Sequence, residues 1–365
     1  MALSKVNPNF VNQNNGRRRM NINGDMSVWQ RGTSFTGLSS GNPLSADRMH
    51  FKITSSGTWT LTRESDAPAG TGFTYSLKAL CTSADSSANQ LRLYHNFEGQ
   101  DVTQLAYGTS SAKSLAVSFW VKSNVTGTYS SSLESHITGR QASLNFTVDS
   151  AGTWEKKELI FGGDSASAIT ATNGSGLTMS IWLGSIASLG TGGTTNGQWV
   201  TDSSYTRLNG GGNVYLGDTA NNYLQITGLQ IESGDTATDF EHRSYAEELA
   251  ACQRYYETSY VTGVAPGTAP AAGQVYASNH NSTSYPSSGE LRFTTRKRAT
   301  PTIVLYNSQT GTVNSVYGQD NGVNTAISSV NGINENGIGV FYASGGGFGT
   351  VGYRYTYHYT ADAEL

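Results

Sequence analysis

Two short patterns in the chain match motifs that carry chemistry elsewhere. Residues 347–352 fit G-x-G-x-x-G, and residues 37–41 fit the G-x-S-x-G pattern of a nucleophile elbow. A dinucleotide site needs a strand before the glycines and a helix after them, and an elbow serine must top a strand-to-helix turn. The first pattern is followed by a tyrosine-rich strand, and the second lies in a Ser/Gly loop. We therefore reject both sites.

Paired carboxylates are the remaining catalytic possibility, because a glycosidase needs two of them across a cleft. Glu98 with Asp101, and Asp320 with Glu335, are candidate pairs, but a chain with 26 acidic residues supplies such pairs by chance. No internal repeat of the kind that builds a parallel β-helix is visible. The six histidines are scattered singly. We expect no catalytic residues, no enzyme activity and no cofactor, with a glycosidase as the minority alternative.

Composition excludes several partners. The net charge of −3 argues against nucleic acid, which requires a basic face. No run of 18 apolar residues exists, so we expect no membrane insertion, and the first 20 residues lack the apolar core of a signal peptide. Only 13% of residues are charged, while 43 are glycine. Cys81 and Cys252 lie on apolar faces, which favours buried free thiols.

Short segments with alternating apolar residues follow one another up to about residue 230 and predict a β-sandwich, more specifically a jelly roll. In 114–123, for example, Leu115 and Phe119 share one face and Trp120 lies on the other. In 177–185, Trp182 likewise lies on the strand face that carries the polar residues. A pyranose stacks on an exposed aromatic ring, so Trp120 and Trp182 are the candidate sugar-binding residues; two-sheet packing or a neighbouring subunit could equally account for them.

The segment 223–256 joins a strand to the one convincing helix. The alternation of its apolar residues changes parity near Thr227 and Gly228, which predicts a β-bulge. Ser244 and Glu247 form a capping box, so a helix should start near Tyr245. Its apolar stripe predicts a narrow seam for helix association and consists of Tyr245, Leu249, Cys252 and Tyr256. A lone helix packed on its own sandwich is an equally open interpretation.

The last predicted strand, 352–360, is tyrosine-rich on one face. That face comprises Tyr353, Tyr355, Tyr357 and Tyr359. Tyrosine combines apolar area with a hydrogen-bonding tip, so the face predicts either a core wall or a surface that binds a ligand or another subunit. Both interpretations stay open at this point.

A family resemblance is carried by the run ITGLQIESGDTATDFEHRSYAEELAACQRYYE, by NINGDMSVWQRG at 21–32 and by the final YTADAEL. These segments resemble phage tail-fibre and related virion proteins. The resemblance implies an all-β homotrimer with an N-terminal virion-attachment segment (1–20), a carbohydrate-binding-module-like jelly roll (21–240), a trimer-forming linker helix (241–258) and a C-terminal β tip domain (259–365).

The same resemblance implies a location and partners. The protein would be made in the host cytoplasm, join other tail proteins of the virion through its N-terminus, and bind a host-surface receptor, most simply a polysaccharide. Arg17, Arg18 and Arg19 are the candidate attachment residues, and a solvated basic patch is the alternative for them. A capsid-decorating or other structural virion protein is the second functional alternative, and a fibre-borne glycosidase the third.

Jelly rolls of this type also hold a structural calcium where the first and last strands meet. In this chain the resemblance would bring Asn23 or Asp25 near Glu232, whose oxygens suit the ion. We retain calcium as an expectation, with Asp25 and Glu232 as its candidate ligands.

Overall fold

The computed structural model describes residues 18–87, 89–137, 139–185, 197–201, 214–279, 291–343, 348 and 350–365. The strands before the helix are β1 Ser34–Leu38, β2 His50–Thr54, β3 Thr58–Glu64, β4 Ser76–Ser83, β5 Gln90–Glu98, β6 Leu115–Ser123, β7 Gly127–Ser135, β8 Arg140–Val148, β9 Glu155–Phe161, β10 Ser175–Ser185, β11 Val200–Thr201 and β12 Tyr223–Ser233. Short 3-10 helices span Gly99–Leu105 and Leu216–Asp218.

The remaining described elements begin with the α-helix. They are α1 Tyr245–Gln253, β13 Tyr256–Thr258, β14 Val275–Ser278, β15 Leu291–Arg292, β16 Thr302–Asn307, β17 Ser315–Gly318, β18 Asn324–Asn331, β19 Gly337–Ile338, β20 Val340–Ala343 and β21 Arg354–Asp362. Within the described residues, this α-helix and the 3-10 helices are too short and too polar to span a bilayer.

The first twelve described strands form a sandwich of two antiparallel sheets. The first sheet has the order β1-β3-β4-β12-β6-β9, and the second has the order β11-β8-β7-β10-β5-β2. From β5 onward the chain crosses repeatedly from one sheet to the other, as in a jelly roll. The predicted all-β sandwich is confirmed.

Alternation along each strand builds the core between these sheets. In β6, Leu115, Val117, Phe119 and Val121 are buried and join one hydrophobic cluster with residues of β10 and β12. Successive strand residues point to opposite faces, so the intervening residues of β6 lie on the outer face of the first sheet. Cys81 and Cys252 are buried free thiols, as predicted.

Strand β12 contains the predicted bulge. Its pairing with β6 shifts register between Thr227 and Gln230, and Gly228 has a φ of +63°. The extra residue restores the apolar residues to the core, so that Ile226 before the bulge and Leu229 after it are both fully buried. The β-bulge therefore explains the change of parity among the apolar residues of this segment, as predicted.

The third sheet lies after the helix and is centred on β21. Its order is β13-β21-β17-β18-β20, and β14 and β16 also pair with β21. Tyr355, Tyr357 and Tyr359 are at most 5% exposed and pack in the core of this region with Leu305. Tyr353 is half-buried against the same core. The core-wall interpretation is correct, and a ligand-facing role for the three buried tyrosines is wrong.

Helix α1 begins as predicted but ends earlier. Ser244 and Glu247 form both hydrogen bonds of the capping box. The helix stops at Gln253, and Tyr256 opens β13, which pairs with β21. Tyr245 is 48% exposed, Leu249 is half-buried, and Cys252 is buried within the chain. The four residues therefore do not form one continuous helical seam, because backbone pairing with β21 draws Tyr256 into a sheet.

The basic run near the N-terminus is partly internal. Arg19 is buried and forms an ion pair with buried Glu248 of α1, while the backbone N–H groups of Arg18 and Arg19 donate to Glu241 at 2.6 and 2.8 Å. Arg17 lies outside the described residues. A solvent-facing attachment role for Arg19 is wrong, because its side chain is buried against Glu248 of α1.

A buried charge network joins the sandwich to the end of β21. Glu364 forms ion pairs with Arg48 and Arg31, and Arg31 also lies 3.3 Å from Asp362. The Arg48 guanidinium lies 3.5 Å from the centre of the Tyr255 ring. Groups separated by more than 200 positions in sequence are thus fixed together. We call this set of residues, with Asp47 and His50, the junction network.

A second contact of the same kind lies beside it. Glu98, which is fully buried, accepts hydrogen bonds from Nε and Nη2 of Arg254 at 3.0 and 2.8 Å and from the Tyr255 hydroxyl at 2.7 Å. A buried carboxylate without such donors would destabilise the fold by several kcal/mol, on the order of 3 to 5. Both contacts fix the residues that follow α1 onto the edge of the sandwich.

Titration of His50 gives the junction network a measurable pH dependence. Burial lowers the pKa of His50 to about 4, so the folded protein keeps this ring neutral where the unfolded chain, with an ordinary pKa of 6.5, protonates it. His50 thus contributes stability above pH 6.5 that is lost as the pH falls toward 4. Burial raises the pKa of Asp47 to about 6, above its unfolded value of 3.8. The contribution of Asp47 to stability therefore increases as the pH falls from 6 to 3.8, whereas that of His50 decreases.

We expect His50→Gln to remove the pH-dependent contribution of His50 to stability and to leave that of Asp47 in place. The gap in unfolding free energy between wild type and variant should narrow by about 2 kcal/mol from pH 7 to pH 5, because only the wild type must leave a histidine uncharged. Urea unfolding at both pH values measures it, with the more exposed His136 changed to Gln as the matched control. A gap that stays constant with pH would contradict the assignment.

Candidate functional site

The outer face of the first sheet carries an aromatic pocket beside the β12 bulge. Trp120 of β6 lies opposite Thr227 of β12 on one side and Lys156 of β9 on the other. Because it alternates with the core residues Phe119 and Val121, its ring stands on the outer face, where it is half-buried. The strand parity predicted from the sequence is correct for this residue.

Gly228 lets a second ring reach the same place. A β-carbon at this position would lie 2.6 Å from Cζ of Phe73 and 3.1 Å from Cδ1 of Trp120. Such distances are below van der Waals contact, so a side chain here would displace one of the two rings. The glycine therefore serves both the positive φ of the bulge and the close packing of Phe73 and Trp120 over it.

Phe73, Phe240 and His242 form the wall of the pocket. The ring centres of Phe73 and Phe240 are 4.9 Å apart at an interplanar angle of 80°, and those of Phe240 and His242 are 4.9 Å apart at 70°. Edge-to-face packing of this kind favours a fixed arrangement of the rings. Thr71, Ser118, Lys156 and Asp239 add polar groups to a pocket of about 310 Å³.

Outward side chains of β12 hold the loop that supplies Phe240. Gln230 accepts from the Glu241 N–H at 2.7 Å and donates to the Asp239 carbonyl at 3.2 Å. Glu232 accepts from the Thr238 N–H at 2.8 Å. The pocket wall is thus anchored to the same strand that carries the bulge.

Further along this face lies a charged and aromatic cluster. Asp66 accepts from Nζ of Lys122 at 2.7 Å and from the Trp154 indole at 3.1 Å. Burial alone would raise the pKa of Asp66, but these hydrogen bonds hold it below its ordinary value. Lys122 is two residues beyond Trp120 on the same strand face, so the cluster extends the polar surface along β6.

Trp182, the other candidate, does not face solvent. It is 1% exposed, its indole donates to Oγ of Ser132 at 2.9 Å, and the Arg92 guanidinium lies 5.1 Å from its ring. Its strand parity matches the prediction, but a buried ring cannot stack on a sugar. The prediction of a solvent-facing Trp182 is therefore wrong.

The proposed carboxylate pairs are engaged in ion pairs. Glu98 is held by Arg254 and Tyr255 as described above. Asp320 accepts from the Arg354 guanidinium at 2.8 Å, and Glu335 forms an ion pair with Arg296. Three of the four candidate carboxylates are thus paired with arginine, and no ion pair is found for Asp101 among the described residues. The expectation of no enzyme activity stays a prediction.

The residues expected to hold calcium have protein partners. Asp25 accepts from the Ser27 hydroxyl at 2.9 Å, and Glu232 accepts from Thr238 and Gln230. The Asn23 side chain is hydrogen-bonded to Val28 and to the Asp47 carbonyl. In the part of the chain that the structure describes, no group of three or more His, Cys, Asp or Glu residues could hold a metal ion.

Sequence comparisons assign no family to the chain. No protein-family model matches it. A search of curated protein sequences gives no significant match either.

Solved structures give partial similarities at low scores. The enzymatically active domain of tailspike protein 4 of bacteriophage CBA120 matches with a TM-score of 0.31 and 12% identity, over 59% of this chain and 21% of its own. A CBM4 structure matches with a TM-score of 0.29 and 10% identity, over 58% of this chain and 97% of its own. The TmCBM61 complex with beta-1,4-galactotriose matches with a TM-score of 0.25 and 8% identity, over 60% of this chain and 99% of its own. The chain thus spans about a fifth of the tailspike domain, and scores this low carry no argument about function.

Substitution of Gly228 tests the packing of the pocket. We expect Gly228→Ala to lower the free energy of unfolding by about 2 to 4 kcal/mol, because it adds a positive-φ penalty and an overlap with Phe73. Gly37→Ala is the matched control, since Gly37 has a φ of +69° but no atom within 4 Å of the added carbon. Urea unfolding should separate the two variants; equal losses would show that the ring contacts contribute nothing.

Proposed function

We propose that this protein binds a carbohydrate without cleaving it, through the pocket formed by Trp120, Phe73, Phe240 and His242. The observation that carries the proposal is the half-buried Trp120 ring on a rigid sheet with polar groups around it. A pyranose presents an apolar C–H face to such a ring and hydroxyls to its surroundings. Ser118, Asp239 and Lys156 line the pocket and would supply polar groups for those hydroxyls.

We further propose that the carbohydrate belongs to a host cell surface and that the protein is a tail-fibre or related virion protein. The support is the resemblance of the 226–257 segment and of the two terminal motifs to that family. A capsid-decorating role uses the same modules and would label the head of a particle instead of its tail. Labelling of particles with an antibody to this chain distinguishes the two locations.

Substitution of Trp120 tests carbohydrate binding. In an array of bacterial surface polysaccharides, we expect the full-length protein to bind at least one glycan, and Trp120→Ala to weaken that binding at least about tenfold, or about 1.4 kcal/mol. Tyr276→Ala is the matched control, because Tyr276 is a 65% exposed aromatic residue on β14 of the third sheet. Unchanged binding by Trp120→Ala would refute this site, and release of reducing sugar from the glycan would overturn the non-catalytic assignment.

Trimerisation is a separate proposal, made from the family resemblance. Tyr245 and Leu249 remain at least partly exposed on α1, so they are available to a second copy, whereas Cys252 and Tyr256 are not. Light scattering of the intact protein should give three times the chain mass of 38.8 kDa. A mass equal to that of one chain would reject the trimer.

A further inference from the structure

A larger pocket, of about 550 Å³, lies where the third sheet meets the sandwich. Its floor is the outer face of three adjacent strands, because β16 and β13 both pair with β21. The outward residues of β16 alternate with its core residues Ile303 and Leu305. The floor consists of Tyr256, Thr302, Val304, Tyr306, Thr360 and Asp362. Arg31, Pro266 and Glu364 complete the lining; we call it the junction pocket.

Arg31 enters this pocket from the sandwich side. Its side chain is 10% exposed, and Cζ of its guanidinium lies over the Tyr256 ring, 3.6 Å from the ring centre. The nearest carboxylate oxygens of Asp47 and Glu364 are 3.8 and 3.6 Å away, which is ion-pair distance but beyond a hydrogen bond. Among the described residues, neither Nη1 of Arg31 nor Oε1 of Glu364 has a hydrogen-bond partner.

Buried donors and acceptors of this kind normally pair with protein groups, ordered water or a bound ligand. Arg31, Glu364 and Asp362, whose side chain is 41% exposed, line the junction pocket, and Nη2 of Arg31 donates to Asp362 at 3.3 Å. Hydroxyl groups of Thr302 and Thr360 and the half-buried Tyr306 ring lie on the same floor. Donors and acceptors are therefore interleaved with one aromatic surface.

We propose that the junction pocket binds one neutral pyranose unit. Ring hydroxyls both donate and accept, so they match a guanidinium next to carboxylates, and the C–H face of the sugar matches Tyr306, Val304 and Pro266. Two carboxylates against one guanidinium disfavour a uronic acid or phosphorylated sugar. This inference takes its ligand class from the proposed function, but the site lies on a different sheet from Trp120 and involves none of the same residues.

Saturation-transfer NMR on the full-length Trp120→Ala variant tests the junction pocket with the first site removed. The probes are the methyl glycosides of glucose, galactose and N-acetylglucosamine, with glucuronate as the anionic comparison. We expect transfer to at least one neutral glycoside and little to glucuronate. Adding Thr302→Trp, which fills the pocket from an exposed strand position, should abolish the transfer. Val313→Trp, at a 54% exposed position outside the pocket, is the matched control.

Asp362→Asn gives a second measurement that does not depend on steric blocking. It removes an exposed charge but leaves an oxygen that can still accept from the Glu364 N–H, a 3.0 Å contact in the wild type. We expect at least a threefold weaker affinity for the neutral glycoside in a titration. The proposal would be overturned if no neutral glycoside receives saturation from the protein, or if the transfer to a glycoside survives Thr302→Trp. Glycan-array binding that is lost in Trp120→Ala would still support the first site, so the two proposals fail separately.

Discussion

The fold depends on a buried carboxylate near the end of the chain. Burial alone would raise the pKa of Glu364, but the charges of Arg48 and Arg31 hold it below its ordinary value. A buried ion is stable only with such partners, so the end of β21 must remain against the sandwich. Residues 21–32 and 359–365 supply Arg31, Asp362 and Glu364 to this contact.

The outer faces of the two sandwich sheets differ in exposure. On the second sheet, Trp182 and Ser132 lie on the outer face yet are buried, and Asn96 donates to the Leu365 carbonyl at 3.1 Å. On the first sheet, Trp120 and Lys156 keep access to solvent. Strand parity assigns a residue to a face, whereas the neighbouring side chains on that face decide whether it is exposed. Of the two predicted tryptophans, only Trp120 is open to the carbohydrate proposed above.

The sequence predicts strands where apolar residues alternate, as in β6 and β10, and fails where polar residues replace them. Strand β7, with the sequence GTYSSSLES, was not predicted, because it lacks alternating apolar residues. Its serines can be buried because they form hydrogen bonds, such as that from the Ser131 hydroxyl to the Ser180 carbonyl at 2.9 Å. In the candidate site only Trp120 was predictable. Phe73 precedes β4, and Phe240 and His242 lie in a loop, so only the glycine at the bulge signalled that another group approaches there.

The geometry of the two pockets also bears on how strongly such a protein could hold a surface. Each pocket includes solvent-exposed lining residues, so one sugar unit would leave part of its area in water. Sites on separate sheets of one chain can engage different units of the same polymer, and copies within an oligomer multiply the effect, because each later contact is intramolecular. Under the two proposals above, binding that is weak per site and strong in sum would hold the protein on a surface rich in repeated sugars. The buried ion pairs of the junction network join the sandwich and the third sheet, which carry the two pockets.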